Sequence, residues 1–185
     1  MFAAVALVTL LLDQVTKAVV RAKLVPGESF VVIPHGLNIT FVRNVGAAFG
    51  LFPGRQPVFI ATSCAVLFVV AAYWRRAKPT EWPVVVALGL VTAGAAGNLI
   101  DRALLGRVTD FFEFGFLQFP VFNVADMAIV CGTALLALWI LFGPQPEPAV
   151  EADSADAADA DPAAETDPTD AAESNSGPGT PEESA

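Results

Sequence analysis

The sequence predicts a mainly α membrane protein: four transmembrane helices, a small sheet at the membrane surface and a disordered acidic C-terminal tail. Three observations predict it. Apolar residues make up 55% of the 185 residues. They gather in four runs, each close to the roughly 20 residues that a helix needs to cross a bilayer core. The formal charge of −9 is local, because twelve of the 19 acidic residues lie at or beyond Glu147, where no Lys or Arg accompanies them. Seven acids against ten bases remain in the first 146 residues, so the body is mildly basic and the acidic balance belongs to the tail.

The first span covers about residues 2–22 and holds Asp13 and Lys17. Residues at i and i+4 share a helix face, so the two can pair and hide their charges from lipid. No basic segment precedes this run and no clear small-residue cleavage site follows, so it reads as a retained span rather than a cleaved signal peptide. A β segment is expected at about 27–53, in a polar stretch too long for a plain connector. Within it, GLNITFVRN alternates apolar Leu37, Ile39 and Phe41 with polar Asn38 and Thr40, which is a strand pattern. Gly46, Ala47 and Ala48 follow, small enough for close backbone approach. Such a sheet offers an edge to an extended peptide; an amphipathic hairpin lying on the bilayer fits the same pattern.

The second span, about 57–74, is followed by Arg75, Arg76 and Lys78, a cluster that marks a cytoplasmic loop under the positive-inside rule. Seven dispersed bases would then face the other side, so charge alone does not orient the chain. The third span, about 83–101, carries Gly94, Ala95, Ala96 and Gly97, a surface on which membrane helices pack closely. Asn98, Asp101 and Arg102 end it as one polar cluster. Asp110 comes next, before phenylalanines suited to the interfacial zone. The fourth span, about 124–142, opens with Asn123 and Asp126. From 143 to 185 the chain is almost entirely Ala, Asp, Glu, Pro, Ser, Thr and Gly, which cannot bury enough apolar surface to fold.

Carboxylates at the edge of a span need a reason, since desolvating an ionised carboxyl costs several kcal/mol. Taken alone, Asn123 and Asp126 do no more than start a helix, and an Asp101–Arg102 pair is an ordinary interfacial anchor. The convergence of Asp110 and Asp126 on one rim, with Asn98, Asn123 and Arg102 nearby, favours an acid/base pair sharing one proton. Such a pair activates water with its ionised member, while the protonated member hydrogen-bonds the carbonyl oxygen and later helps the amine depart. Other chemistries lack their residues. His35 is the single histidine and reads as a surface residue, no HExxH or glycine-rich phosphate loop occurs, and Cys64 and Cys131 read as small packing residues. No metal, cofactor or nucleic-acid surface is expected.

DQVTK at 13–17, NVGAAFG at 44–50, GNLIDR at 97–102, VTDFF at 108–112 and FNVADMAI at 122–129, in that order, resemble the lipoprotein signal peptidases (signal peptidase II). The resemblance covers about 5–142 and leaves out the tail; Met127 and Val45 depart from the residues common in the family, away from the presumed chemistry. It implies an aspartyl endopeptidase of the bacterial cytoplasmic membrane, which cuts diacylglyceryl-modified prolipoproteins just before the lipidated cysteine. Carried onto this chain, Asp110 and Asp126 are its catalytic pair. Asn44, Asn98, Arg102 and Asn123 match its substrate site, and Asp13 and Lys17, which match its first-helix motif, are expected to bind substrate with them. The resemblance also implies an extracytoplasmic β-cradle, both termini in the cytoplasm and an active site on the extracytoplasmic face. The expected partners are lipid-modified precursors and membrane lipids, with a peptidase domain of residues 1–142 acting as a monomer. Two other classes stay open: an ion carrier would set its acids along a path through the membrane, and a scaffold would use them only as caps and anchors.

Overall fold

The computed structural model describes residues 1–46 and 55–144. In chain order the elements are α1 (Phe2–Lys23), β1 (Ser29–Ile33), β2 (Leu37–Asn44), α2 (Gln56–Ala77), α3 (Trp82–Leu105), β3 (Val108–Phe114) and α4 (Val124–Phe142). All four helices are long and apolar enough to cross a membrane. Two outrun the apolar segments that announce them: α2 continues through Arg75 and Arg76 to Ala77, and α3 through Asp101 and Arg102 to Leu105. Cations in a last turn complement the negative end of the helix dipole, so they prolong a helix rather than end it. The stops come from the backbone. Lys78 is left-handed at φ 43 before Pro79, and Gly106 is left-handed at φ 68.

α3 is the centre of the bundle, packed against α1, α2 and α4. It buries twelve residues, whereas α2 fully buries only Val70 and packs Val66 and Trp74 beside it. Close approach is built into the expected small-residue surface. A Cβ on Gly94 would strike the Ala125 carbonyl of α4, and one on Gly97 would strike the Asp13 carboxylate of α1. Cys64 and Cys131 are exposed rather than packed inside, a correction to the sequence expectation; Cys131 lines the cavity of the candidate site, and Cys64 stands on α2. A thiol is apolar enough to face lipid.

β1 and β2 form a hairpin whose turn includes His35 at φ 56, and β3 joins β2 antiparallel to complete a sheet ordered β1-β2-β3. The third strand is a correction too, since 108–114 reads from sequence as an interfacial aromatic stretch and not as part of the sheet. Its side chains alternate. Phe111 packs with Val20 and Phe41 on the α1 side, while Asp110, Phe112 and Phe114 line a cavity on the other. Residues 47–54 of the expected β segment, with Ala47 and Ala48, lie outside the described residues, as does the chain from 145 onward.

Candidate active site

The site is built where the end of α3, the start of α4 and strands β2 and β3 meet. Asn123 caps α4: its Oδ1 accepts from the Asp126 N–H at 3.0 Å, and Asp126 Oδ2 accepts from the Asn123 N–H at 3.2 Å. Helix capping and membership of the site are therefore compatible. The box leaves Asp126 Oδ1 to accept from Asn98 Nδ2 at 2.8 Å, and Asn123 Nδ2 to donate to Asp110 Oδ1 at 2.6 Å. Asn44 Nδ2 donates to the other Asp110 oxygen at 2.9 Å, and its own Oδ1 accepts from the Gly46 N–H at 2.9 Å. Each amide is oriented by a group that can only donate, a backbone N–H for Asn44 and Asn123 and the Lys17 ammonium for Asn98.

Asp110 sits on a strand outside the helices and is almost fully buried. Burial pushes its carboxyl from the ordinary 3.8 up to about 6, and the neighbouring Asp126 charge pushes the same way. The hydrogen bonds from Asn44 and Asn123 and the charge of Lys17 hold the rise back. A carboxyl that exchanges its proton this close to neutrality is suited to acid/base work.

A second layer of charge lies behind the pair. Lys17 and Asp13 are both 0% exposed and neither lines the cavity, so direct substrate contact, which the sequence motif implied for them, does not fit this geometry. Lys17 Nζ lies 3.0 Å from Asp13 Oδ2 and 3.5 Å from Asp101 Oδ2, and donates to Asn98 Oδ1 at 3.0 Å. Asp13 Oδ1 accepts from the Ala125 N–H of α4 at 2.9 Å, capping that helix from another one. Asp101, left without a role by sequence, accepts from the Thr109 N–H at 2.9 Å and lies 3.5 Å from Arg21 Nη1, which donates to Thr109 Oγ1 at 3.1 Å. Asp101 and Arg21 thus grip β3 one residue before Asp110. Arg21 lies 80 positions from Asp101 and 88 from Thr109, and nothing local signals that pairing.

The cavity in front has a volume of about 780 Å³ and is lined by Asn44, Asn98, Arg102, Asp110 and Asp126 among largely apolar neighbours such as Phe112, Phe114, Phe122 and Val130. Arg102 lines it with its guanidinium 5.2 Å from the Phe59 ring centroid. Met127 also lines it, so this departure from the family's usual residue faces the site rather than distant packing. Among the described residues no group of three or more His, Cys, Asp or Glu side chains gathers as metal ligands would.

The family model for signal peptidase (SPase) II matches residues 5–142. The lipoprotein signal peptidase of Syntrophomonas wolfei subsp. wolfei is 43% identical over 143 residues, which are 76% of this chain and 93% of that protein. Its counterpart from Staphylococcus aureus (strain MRSA252) is 38% identical over 140 residues, 74% of this chain and 85% of that one. Two solved structures of a bacterial membrane enzyme, obtained by the in meso method, share the fold. The one at 2.3 Å resolution has a TM-score of 0.73 at 36% identity, covering 76% of this chain and 87% of that chain. The one at 1.9 Å has a TM-score of 0.71 at 35% identity, covering 77% and 94%. With its four apolar helices, this chain is a multi-pass membrane protein and belongs to the signal peptidase II family.

Proposed function

We propose that this chain is an aspartic endopeptidase that removes the signal peptide from diacylglyceryl-modified prolipoproteins, cutting just before the lipidated cysteine, with Asp110 and Asp126 as its catalytic pair. One observation supports this most directly: both carboxylates line one largely apolar cavity and are bridged by Asn123. The pair works with one shared proton, and its two sites titrate together. The ionised member takes a proton from water as the water oxygen attacks the scissile carbonyl carbon, while the protonated member gives its proton to the carbonyl oxygen. The tetrahedral diol then collapses. The C–N bond breaks, the cysteine amine takes the proton first removed from water, the diol returns the other to the pair, and the signal peptide leaves with a new carboxyl group.

Asn44, Asn98 and Asn123 hold the carboxylates, and Arg102 positions a backbone carbonyl or a polar lipid group at the cavity mouth. Asp13 and Lys17 act through α4 and Asn98, as positioning residues. The peptidase domain is residues 1–142, acting as a monomer. The start of α1 and the end of α4 pack beside the α2–α3 turn with its Arg75, Arg76 and Lys78, at the bundle end away from Asp110. By the positive-inside rule this supports cytoplasmic termini and an extracytoplasmic site in a bacterial cytoplasmic membrane. The test is cleavage of a lipidated precursor peptide by the purified full chain in detergent. Asp110→Asn and Asp126→Asn each lower kcat by about 10³-fold; cleavage by both variants at the parent rate would refute the proposal.

A further inference from the structure

The bundle end opposite the aspartates carries a second concentration of chemistry. All three tryptophans and the single tyrosine of the chain gather there. Tyr73 and Trp74 stand in the last turns of α2, Trp82 opens α3, and Trp139 near the end of α4 packs in the same cluster as Trp74. Aromatic side chains of this kind settle at the membrane–water interface. Only residues 78–81 separate the two spans, so the α2–α3 turn is held at headgroup depth.

Arg75, Arg76 and Lys78 project from this turn, and all three are exposed. Among the described residues none of them makes an ion pair or a side-chain hydrogen bond. A surface pocket of about 440 Å³ opens between Trp74, Arg75, Lys78 and Pro79, with no carboxylate in its wall. The Trp74 indole is fixed by stacking on Phe2, with ring centroids 4.4 Å apart. Complementing the end of α2 explains a cation or two on the helix. It does not explain a walled pocket with unpaired cations at the rim.

We propose that this pocket holds the phosphate of an anionic phospholipid. The Arg75 guanidinium matches two phosphate oxygens, the Lys78 ammonium supplies a point charge, and the Trp74 ring covers the glycerol and first methylenes. Headgroups without a compensating cation are preferred, because the wall carries two positive charges, Arg75 and Lys78, and no acid to receive an ammonium.

Intrinsic fluorescence reads this site, since every tryptophan lies at this end. The full chain in phosphatidylcholine nanodiscs is compared over a series of phosphatidylglycerol contents. The expected result is a saturable change with phosphatidylglycerol, and a midpoint raised roughly 30-fold in Arg75→Gln/Lys78→Gln. Arg43→Gln, which removes an exposed cation from the sheet, keeps the parent midpoint, and all variants cut the lipidated precursor at the parent rate in phosphatidylcholine. Inorganic phosphate at the same concentration leaves the signal unchanged. An unaltered midpoint in the double variant, no saturable response to phosphatidylglycerol, or full competition by inorganic phosphate would overturn the proposal; the last would mark a general anion site. Cleavage by the aspartate pair is measured separately, so failure here leaves the proposed activity standing.

Discussion

Replacing Lys17 by Met separates the charge behind the site from the space it fills. The side chain is 0% exposed, and its ammonium meets three acceptors at 3.0, 3.0 and 3.5 Å, on Asp13, Asn98 and Asp101. Met is close in length and fills the slot, so the main loss is charge. Removing one partner of a buried ion pair costs about 3–5 kcal/mol, because the other charge stays behind without compensation. Two carboxylates are left here. Asp101 keeps Arg21 and the Thr109 N–H, while Asp13 keeps the Ala125 N–H and the Gln14 amide. The cost therefore falls near the top of that range, about 5 kcal/mol, a large part of the 5–15 kcal/mol that holds a typical fold. For a chain of this size that lowers the unfolding midpoint by roughly 10–20 °C. Activity falls as well, even well below the midpoint, since Asn98 loses the cation that orients its amide toward Asp126. Thermal unfolding in detergent, followed by tryptophan fluorescence, and precursor cleavage at low temperature measure the two effects. A midpoint within about 2 °C of the parent's, with unchanged cleavage, would refute the reasoning.

Three further outcomes follow from the same geometry. On the proposed mechanism the pair loses its shared proton as the pH rises past about 6, where burial and the Asp126 charge place Asp110, and this sets the alkaline limb of kcat/KM. Asn44→Ala removes a hydrogen bond that favours the ionised form, so this limb moves to higher pH; a pH profile with an unmoved or lowered limb contradicts the assignment. Asn123→Ala costs about 1 kcal/mol as a lost helix cap, yet it also strips the bridge between the aspartates, so kcat drops at least about tenfold at temperatures where the variant is folded. A kcat equal to the parent's there would reduce Asn123 to a cap. In Gly97→Ala the new methyl displaces the Asp13 carboxylate from the Ala125 N–H, for a loss of about 1–3 kcal/mol in unfolding free energy. The Gly106→Ala chain, whose added carbon meets no neighbour within 4 Å but sits at φ 68, separates backbone strain from this clash.

The four spans were legible because an uninterrupted apolar run near bilayer length has few other uses. Asp110, Asp126 and Asn123 were legible because acids at a membrane edge are costly. Strand β3 was not: VTDFFEF contains the aromatics of an interfacial anchor, and its alternation is visible only once β2 lies beside it. Asp101 escaped for a related reason. Its partners are Arg21 from α1 and the Thr109 backbone, brought together by helix packing rather than by spacing. Lys17 and Asp13 were legible as a pair at i,i+4, but their burial depended on the missing side chain of Gly97, which lets α1 seat its carboxylate against α3.

The sheet has a consequence for biogenesis. Asn44 and Asp110, which contact each other at 2.9 Å, reside on strands separated by two membrane spans in the chain. While the protein is being inserted, β2 emerges long before β3 exists to pair with it, and Asn123 follows later still. The proposed catalytic pair therefore has no partial form. A nascent chain with one, two or three spans in the bilayer lacks Asn123 and Asp126 at the start of α4, so the proposed cleavage begins only after the last helix has been threaded.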